Sequence, residues 1–277
     1  MAEAQARPKV DMLRFFQADL LSGRLAVVTG GGTGIGLVAA RALGQLGATV
    51  VIASRNQDQL SRACAELTAD GIRSGWQCLD IREPTTVDRA LDRVFGEYGG
   101  LDILVNNAGG QFVAPAEKIS SNGWRSVIDL NLNGTFYCTQ AAARHMMAGS
   151  GGTILNVVVS FVDRSSAGMV HSGAARAGVA HMTRTLAYEW APFGITLNAL
   201  GPQMLTDAAR KAYGAAGIEH IQSSTPLGRW ATEQEVGAWI VTLCSPIAGY
   251  TTGAMIPLDG GTSVGAGLSF RGDAFPG

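Results

Sequence analysis

The sequence predicts a single doubly wound α/β domain, in which a seven-stranded parallel sheet has helices on both faces. Short apolar runs rich in β-branched residues, typical of buried parallel strands, alternate with helix-period segments along the chain. No repeat or low-complexity linker divides the 277 residues, so one domain accounts for all of them. The predicted strands begin near residues 25, 49, 74, 103, 153, 195 and 254.

Helices are predicted between these strands. A helix-period pattern starts at residue 37, and later helices are predicted at 57–69, 84–98, 123–147, 171–190 and 232–244. Residues 1–22 contain a few large apolar side chains and are expected to pack on the domain or on another subunit. Residues 203–229 have few periodic signals and are expected to cover the substrate.

Composition argues against several classes of partner. Hydrophobic residues make up 47% of the chain and charged residues 16%, which is ample for a core. The net charge of −1 gives no electrostatic footprint for nucleic acid or for an anionic membrane. The four cysteines lack metal or disulfide spacing, so we expect reduced thiols and no metal site. We find no secretory leader, membrane-spanning run or peroxisomal address, and expect a soluble, cytoplasmic protein.

A glycine-rich turn follows the first predicted strand and leads directly into a helix. Glycine permits backbone angles that other residues avoid, and it lets a pyrophosphate approach the main chain closely. The helix start then offers free amide donors and the positive end of the helix dipole. This order predicts a dinucleotide site; the alternative is a tight turn without a ligand. The predicted contacts are Gly30, Gly32, Thr33, Gly34, Ile35 and Gly36.

The end of the second strand indicates which dinucleotide binds. In such folds this position meets the adenosine ribose, and an acidic residue there selects the free 2′-hydroxyl of NAD(H). The chain has Ser54 and Arg55 instead, and a guanidinium can bind a 2′-phosphate through two hydrogen bonds. We therefore expect NADP(H); the alternative is a solvated loop arginine. Asp80 and Ile81, which follow the third strand, are expected to meet the adenine.

Two motifs make the chain resemble the short-chain dehydrogenase/reductases. The turn has the spacing Thr-Gly-x-x-x-Gly-x-Gly, and residues 106–109 read Asn-Asn-Ala-Gly after the fourth strand. The resemblance covers about residues 23–263 and implies a Rossmann fold and a homotetramer that packs through alanine-rich helix faces. It implies that Asn131 is the family's structural and catalytic asparagine, which holds a helix kink and a water. It also implies cofactor contacts by Asn107, Ala108, Gly109 and Pro202.

The chain departs from this family at three of the four usual catalytic positions. The family's serine, tyrosine and lysine align with Val159, Ser172 and Arg176, and only Asn131 is kept. A serine hydroxyl is far less acidic than a phenol and protonates an alkoxide poorly. Reduction of a double bond conjugated to a thioester instead needs a hydrogen-bond donor for an enolate oxygen. Ser172 suits that role, with Arg176 holding the nicotinamide ribose.

The surrounding sequence narrows the expected reaction. Residues 109–112, 115–117 and 170–179 resemble the peroxisomal trans-2-enoyl-CoA reductases and, more distantly, the 2,4-dienoyl-CoA reductases. The resemblance implies an NADPH-dependent reductase of an acyl thioester, but Ala180 replaces the tyrosine proposed to be catalytic in that branch. His171 is the remaining candidate acid, and its alternative is a structural histidine at a helix start. Two other functions stay open: a carbonyl reductase or alcohol dehydrogenase with another acid, and a catalytically silent NADP(H)-binding protein.

Overall fold

The computed structural model describes residues 11–160 and 162–264, and these contain a seven-stranded sheet. The strand order is β3-β2-β1-β4-β5-β6-β7, and every neighbouring pair is parallel. The predicted α/β class and parallel sheet are thereby confirmed. The strands are β1 Leu25–Thr29, β2 Thr49–Ser54, β3 Ser74–Cys78, β4 Ile103–Asn106, β5 Gly152–Val157, β6 Ile195–Pro202 and β7 Met255–Leu258.

The order of the strands reverses between β1 and β4. Strands β2 and β3 extend the sheet on one side of β1, whereas β4 to β7 extend it on the other. In open α/β sheets this reversal leaves a crevice beyond the carboxyl ends of the two strands, where ligands bind. The glycine turn after β1 and the Asn-Asn-Ala-Gly segment after β4 flank that crevice.

Helices cover both faces of the sheet. Along β1 the side chains alternate, so that Ala26 and Val28 face one core while Leu25 and Val27 face the other. Because both faces are buried, residues 25–28 of the strand are all apolar. The first core includes α1 Gly34–Gln45, α2 Gln57–Ala69 and α8 Glu233–Cys244; the second includes α3 Pro84–Tyr98, α5 Gly134–Ala148 and α6 Val170–Trp190.

The prediction of one continuous α-helix at 123–147 is wrong. The structure has α4 Ser121–Ile128 and α5, joined by a π-helical segment, Asp129–Asn133. π-Helical turns inside α-helices accumulate at functional sites, because they redirect a side chain without ending the helix. Asn131 lies in the middle of this segment, which interrupts the α-helical hydrogen-bonding pattern at the position where the kink is expected.

Residues 203–229 contain a helix that the sequence pattern does not reveal. Helix α7 spans Asp207–Ser224, and none of its side chains is fully buried. A helix that buries no complete face needs no apolar stripe, which explains the missing periodic signal. Gly214 interrupts α7 with φ 63° and ψ 175°.

The described part of the N-terminal segment packs on the helices of the first core. Residues Met12–Phe15 form a 3₁₀ turn, and Leu13, Phe16 and Leu20 contact that core. The backbone amide of Met12 donates to Gln234 Oε1 of α8 over 2.8 Å. These contacts agree with the packing expected for residues 11–22, whereas residues 1–10 lie outside the described residues.

Part of the alanine-rich helix surface that is expected to pack between subunits is not exposed. Ala141, Ala142, Ala143 and Ala180, expected on faces between subunits, are buried within the chain itself. Only Ala174 and Ala177 of that set are exposed, on α6. Over the ranges described, we find no helix whose length and apolar character would let it cross a membrane.

Candidate active site

The turn after β1 has a backbone that requires glycine. Gly30 and Gly34 have φ values of +65° and +53°, in the left-handed region that other residues rarely adopt. A Cβ atom at Gly36 would overlap the carbonyl oxygen of Gly30. Thr33 precedes α1 without a side-chain capping bond, so its side chain leaves the first-turn amides free for an anion. Gly32, Thr33 and Ile35 complete the turn and the start of α1.

Asn107 supports this turn from the neighbouring strand. Its Nδ2 donates to the carbonyl oxygens of Thr29 and Gly30, over 3.1 and 3.2 Å. In return, Thr29 Oγ1 accepts from the backbone amides of Asn107 and Ala108, over 3.0 and 3.1 Å. The Asn107 side chain therefore holds the glycine turn in place, and its contact with a cofactor stays a prediction.

A cavity of about 610 Å³ lies beside the turn, on the β2–β3 side of the crevice. Seven of the residues predicted to bind cofactor line it together. A glycine turn, an adjacent cavity and free helix-start amides are the features that an adenine dinucleotide needs. The residues that line the cavity and were predicted are Gly30, Ser54, Arg55, Asp80, Ile81, Ala108 and Gly109.

Arg55 and Asp80 both line this cavity, and Arg82 pairs with Asp80. Arg82 Nε and Nη2 donate to the carboxylate of Asp80, over 3.0 and 2.5 Å. The Arg82 hydrogen bonds hold the pKa of Asp80 below its usual range. Arg55 lies 3.9 Å from the same carboxylate, and 59% of its side chain is exposed. Arg82, two residues after Asp80, is not among the residues predicted from the sequence.

Asn131 connects the π-helical segment to the loop after β4. Its Nδ2 donates to the carbonyl oxygens of Gly110 and Val127, over 2.7 and 2.9 Å, and its Oδ1 accepts from the Gly110 amide over 3.1 Å. The side chain is buried, and all three contacts are to the backbone. Asn131 therefore fixes the Gly109–Gly110 backbone beside the crevice.

Arg176 reaches the same loop from α6. Its Nη1 donates to the carbonyl oxygen of Val157 over 2.9 Å, and its Nη2 occupies the space that a Cβ at Gly109 would need. Its Nε is buried and has no hydrogen-bond partner among the described residues. Burial lowers the pKa of Arg176 to about 10, so the guanidinium is a cation at neutral pH. A buried cation with a free donor beside the cofactor crevice fits a polar group such as a ribose hydroxyl.

Ser172 is joined to two residues from other parts of the chain. Its Oγ donates to Gln111 Oε1 over 2.6 Å, and Gln111 Nε2 donates to the hydroxyl oxygen of Tyr213 over 2.7 Å. Gln111 lies in the loop after β4, and Tyr213 in α7. Ser172 itself is fully buried. Sequence reasoning missed Tyr213 altogether.

His171 is enclosed. Its ring meets the edge of the Phe112 ring at a centroid distance of 4.4 Å, and no part of the residue is exposed. Nδ1 accepts from the Ser172 amide over 2.8 Å, and Nε2 has no partner among the described residues. This geometry agrees with the structural alternative for His171. Pro202 ends β6 opposite Leu258, and its contact with a cofactor stays a prediction.

Comparisons with known proteins agree with this architecture. The family model described as "Enoyl-(Acyl carrier protein) reductase" matches residues 30–263. A probable 2,4-dienoyl-CoA reductase [(2E)-enoyl-CoA-producing] of Bacillus subtilis is 39% identical, over 86% of this chain and 96% of its own. D-threitol dehydrogenase of Mycolicibacterium smegmatis is 34% identical, over 88% of this chain and 94% of its own.

A solved structure extends the likeness to the fold. The gluconate 5-dehydrogenase of Burkholderia cenocepacia, in complex with NADP and tartrate, has a TM-score of 0.86 and 31% identity. The match covers 90% of this chain and 99% of that one. With the family match, the glycine turn, the Asn-Asn-Ala-Gly segment and the parallel sheet, the chain belongs to the short-chain dehydrogenase/reductase family of oxidoreductases.

Proposed function

We propose that this protein uses NADPH to reduce the conjugated double bond of an enoyl or dienoyl thioester. The observation that carries the proposal is the pair Ser172–Gln111 on the substrate side of α6. At the position where family members have a catalytic tyrosine, α6 offers a buried serine whose proton is committed to an amide oxygen. Ser172 is therefore a poor acid for an alkoxide, which a ketone reductase must protonate. The similarity to the probable 2,4-dienoyl-CoA reductase of Bacillus subtilis supports a dienoyl thioester as substrate.

The reaction makes two demands on the chain. When bound, NADPH would supply a hydride for the carbon atom at the far end of the conjugated system. Negative charge then develops on the thioester oxygen, and preorganised donors in a dry site stabilise it. Because Gln111 already accepts the Ser172 proton, we propose that Ser172 acts through Gln111 and not by direct contact with the thioester. Asn131 holds the loop that carries Gln111, and Arg176 holds the nicotinamide ribose.

The cofactor preference follows from the exposed guanidinium on the cavity rim. We expect NADPH to bind more tightly than NADH, because Arg55 can form charge-assisted hydrogen bonds to a 2′-phosphate. In the variant Arg55→Ala, the Kd for NADPH should rise about 10- to 100-fold, with little change for NADH. Isothermal titration measures both constants, and Arg62→Ala, an exposed arginine on α2, is the control. Equal affinity of the unaltered protein for NADPH and NADH would contradict the assignment.

The reaction itself is tested by NADPH oxidation with matched substrates. We expect turnover of trans-2-enoyl-CoA or 2,4-dienoyl-CoA esters and little with ketones or aldehydes of the same chain length. Ser172→Ala should lower that turnover about tenfold, since it removes one hydrogen bond that orients Gln111. Turnover of carbonyl compounds alone would favour the carbonyl reductase, and would return His171 to consideration as the acid. Tight NADPH binding without any turnover would favour the silent binding protein.

We also propose that the protein is a cytoplasmic homotetramer. The exposed Ala174 and Ala177 and the highly exposed Tyr188 give α6 an outer face suited to close helix packing. The four cysteines, all within the described ranges, are free thiols, which suits a reducing compartment. Light scattering of the purified protein measures the number of chains directly.

A further inference from the structure

The proton donor is the component of the proposed reaction that α6 lacks, and the inference below rests on that proposed function. The structure brings a phenol to the site from a different element. The hydroxyl of Tyr213 lies 2.7 Å from Gln111 Nε2, and Gln111 Oε1 lies 2.6 Å from Ser172 Oγ. One amide thus joins the serine on α6 to a tyrosine on α7.

The chemistry of the amide sets the direction of these hydrogen bonds. An amide oxygen only accepts and an amide nitrogen only donates. Ser172 must therefore give its one proton to Gln111 Oε1, and Gln111 Nε2 must donate to the oxygen of Tyr213. The hydroxyl proton of Tyr213 is not used by this chain of bonds. Gln111 holds the phenol oxygen in place and leaves the phenol proton available.

The backbone of α7 places Tyr213 over the crevice. The helix begins after Thr206, whose methyl group would lie 3.3 Å from a Cβ at Gly34, next to the cofactor turn. It is broken by Gly214, directly after Tyr213, with a φ of +63° that a side-chain-bearing residue adopts only with strain. Gly217 lets the following helical turn approach Tyr213 closely, since a Cβ at Gly217 would lie 3.1 Å from the Tyr213 Cβ. These contacts direct Tyr213 toward Gln111.

We propose that Tyr213 is the catalytic acid that protonates the enolate carbon, and that Gln111 and Ser172 are its positioning residues. After hydride addition, the electron pair of the substrate double bond lies in an enolate. The Tyr213 O–H bond breaks, its proton forms the new C–H bond, and the enolate electrons restore the thioester carbonyl. Solvent then returns a proton to the phenolate, so each turnover consumes one hydride and one proton.

The ionisation of Tyr213 is consistent with this step. Burial raises the pKa of Tyr213 above its ordinary value, and the bond from Gln111 opposes that shift only in part. The phenol therefore keeps its proton throughout the neutral range. An enolate carbon is a stronger base than a phenolate, so proton transfer from Tyr213 to the enolate carbon is energetically favourable.

The test compares Tyr213→Phe with Tyr250→Phe, which alters a fully exposed tyrosine before β7. We expect Tyr213→Phe to lower kcat on enoyl-CoA or dienoyl-CoA about 10²- to 10⁴-fold, the usual contribution of a general acid. The Kd of a saturated acyl-CoA, measured by calorimetry without turnover, should change less than about threefold, because phenylalanine keeps the ring in place. Tyr250→Phe should have the same kcat and the same Kd as the unaltered protein.

A pH profile separates an acid from a packing residue. An acid must be protonated, so the activity of the unaltered protein should fall as the pH rises through the raised pKa of Tyr213. The residual activity of Tyr213→Phe should lack that fall. If Tyr213→Phe retains the kcat of the unaltered protein on acyl thioesters, this inference is overturned while the proposed function stands. If the unaltered protein reduces no acyl thioester, both are overturned.

The positioning roles have their own variants. Gln111→Glu keeps the size but replaces the donor to Tyr213 with an acceptor that binds the phenol proton. It should lower kcat by about 10- to 100-fold with the Kd of acyl-CoA little changed. Ser172→Thr keeps the hydroxyl and should restore most of the activity lost in Ser172→Ala. Normal kcat and an unaltered pH profile in Gln111→Glu would overturn the positioning role.

Discussion

Replacing Gly36 with alanine is expected to weaken NADPH binding by roughly two orders of magnitude. A Cβ at this position would overlap the carbonyl oxygen of Gly30 and lie 2.5 Å from Asn107 Nδ2. Neither neighbour can move freely. The Gly30 oxygen is part of the backbone, and the Asn107 side chain is held by its hydrogen bonds to the carbonyl oxygens of Thr29 and Gly30. The turn must open, and the helix-start amides then no longer converge on a phosphate.

Gly96→Ala is the matched control for Gly36→Ala. Gly96 lies in α3, and a Cβ there would meet no atom within 4 Å. Alanine should leave NADPH binding unchanged and raise the free energy of unfolding by about 0.5–1 kcal/mol, because glycine is a poor helix former. Fluorescence titration gives the binding constants, and thermal unfolding shows whether each variant is folded. Gly36→Ala with the NADPH affinity of the unaltered protein would show that the turn does not bind the cofactor.

Replacing Arg176 with methionine is expected to lower the activity of the protein without lowering its stability. The guanidinium is buried, has no carboxylate partner among the residues that the structure describes, and leaves Nε unpaired. Its folded-state pKa of about 10 lies below the ordinary arginine value, so protonation of Arg176 opposes folding at neutral pH. An apolar side chain of similar length should therefore leave stability unchanged or raise it by about 1–4 kcal/mol.

The same variant should lose activity. Without the cation beside Gly109, the nicotinamide ribose would lose the donor that we propose for it, and a small misplacement of reacting atoms costs about 100-fold in rate. Urea unfolding and steady-state kinetics on the preferred thioester measure the two effects. Arg184→Met, which alters an exposed arginine on the same helix, should change neither by much. A strong loss of stability in Arg176→Met would mean that the bond to Val157 outweighs the burial of charge.

Much of the site could be located from residues that are close together in the sequence. The glycine turn, Arg55, Asp80 and the segment 107–109 each follow a strand directly, and strand ends of a parallel sheet meet at one edge. Asn131 was assigned from the family resemblance, and the low helix propensity of asparagine argued against a plain mid-helix residue. The structure places these residues around one crevice, as the spacing indicates.

Other features could not be read from local patterns. Helix α7 buries no complete face, so nothing in its hydrophobic spacing marks it as a helix. Ala141, Ala142 and Ala143 suggested a surface between subunits, yet they pack inside the chain, because burial depends on which helix lies opposite. Likewise, the composition around His171 did not reveal that Phe112 encloses its ring.

The sequence by itself determined the order of the seven strands, the glycine turn after the first of them and the absence of a tyrosine at position 172. These properties depend on backbone preferences and on spacing within single elements, which the residues carry locally. Only the tertiary structure decided which groups meet Ser172. Gln111 is 61 residues away from it along the chain, and Tyr213 is 102 residues beyond Gln111. Polar contacts between half-buried residues leave no periodic trace in a sequence, because they arise only when the sheet has brought distant loops together.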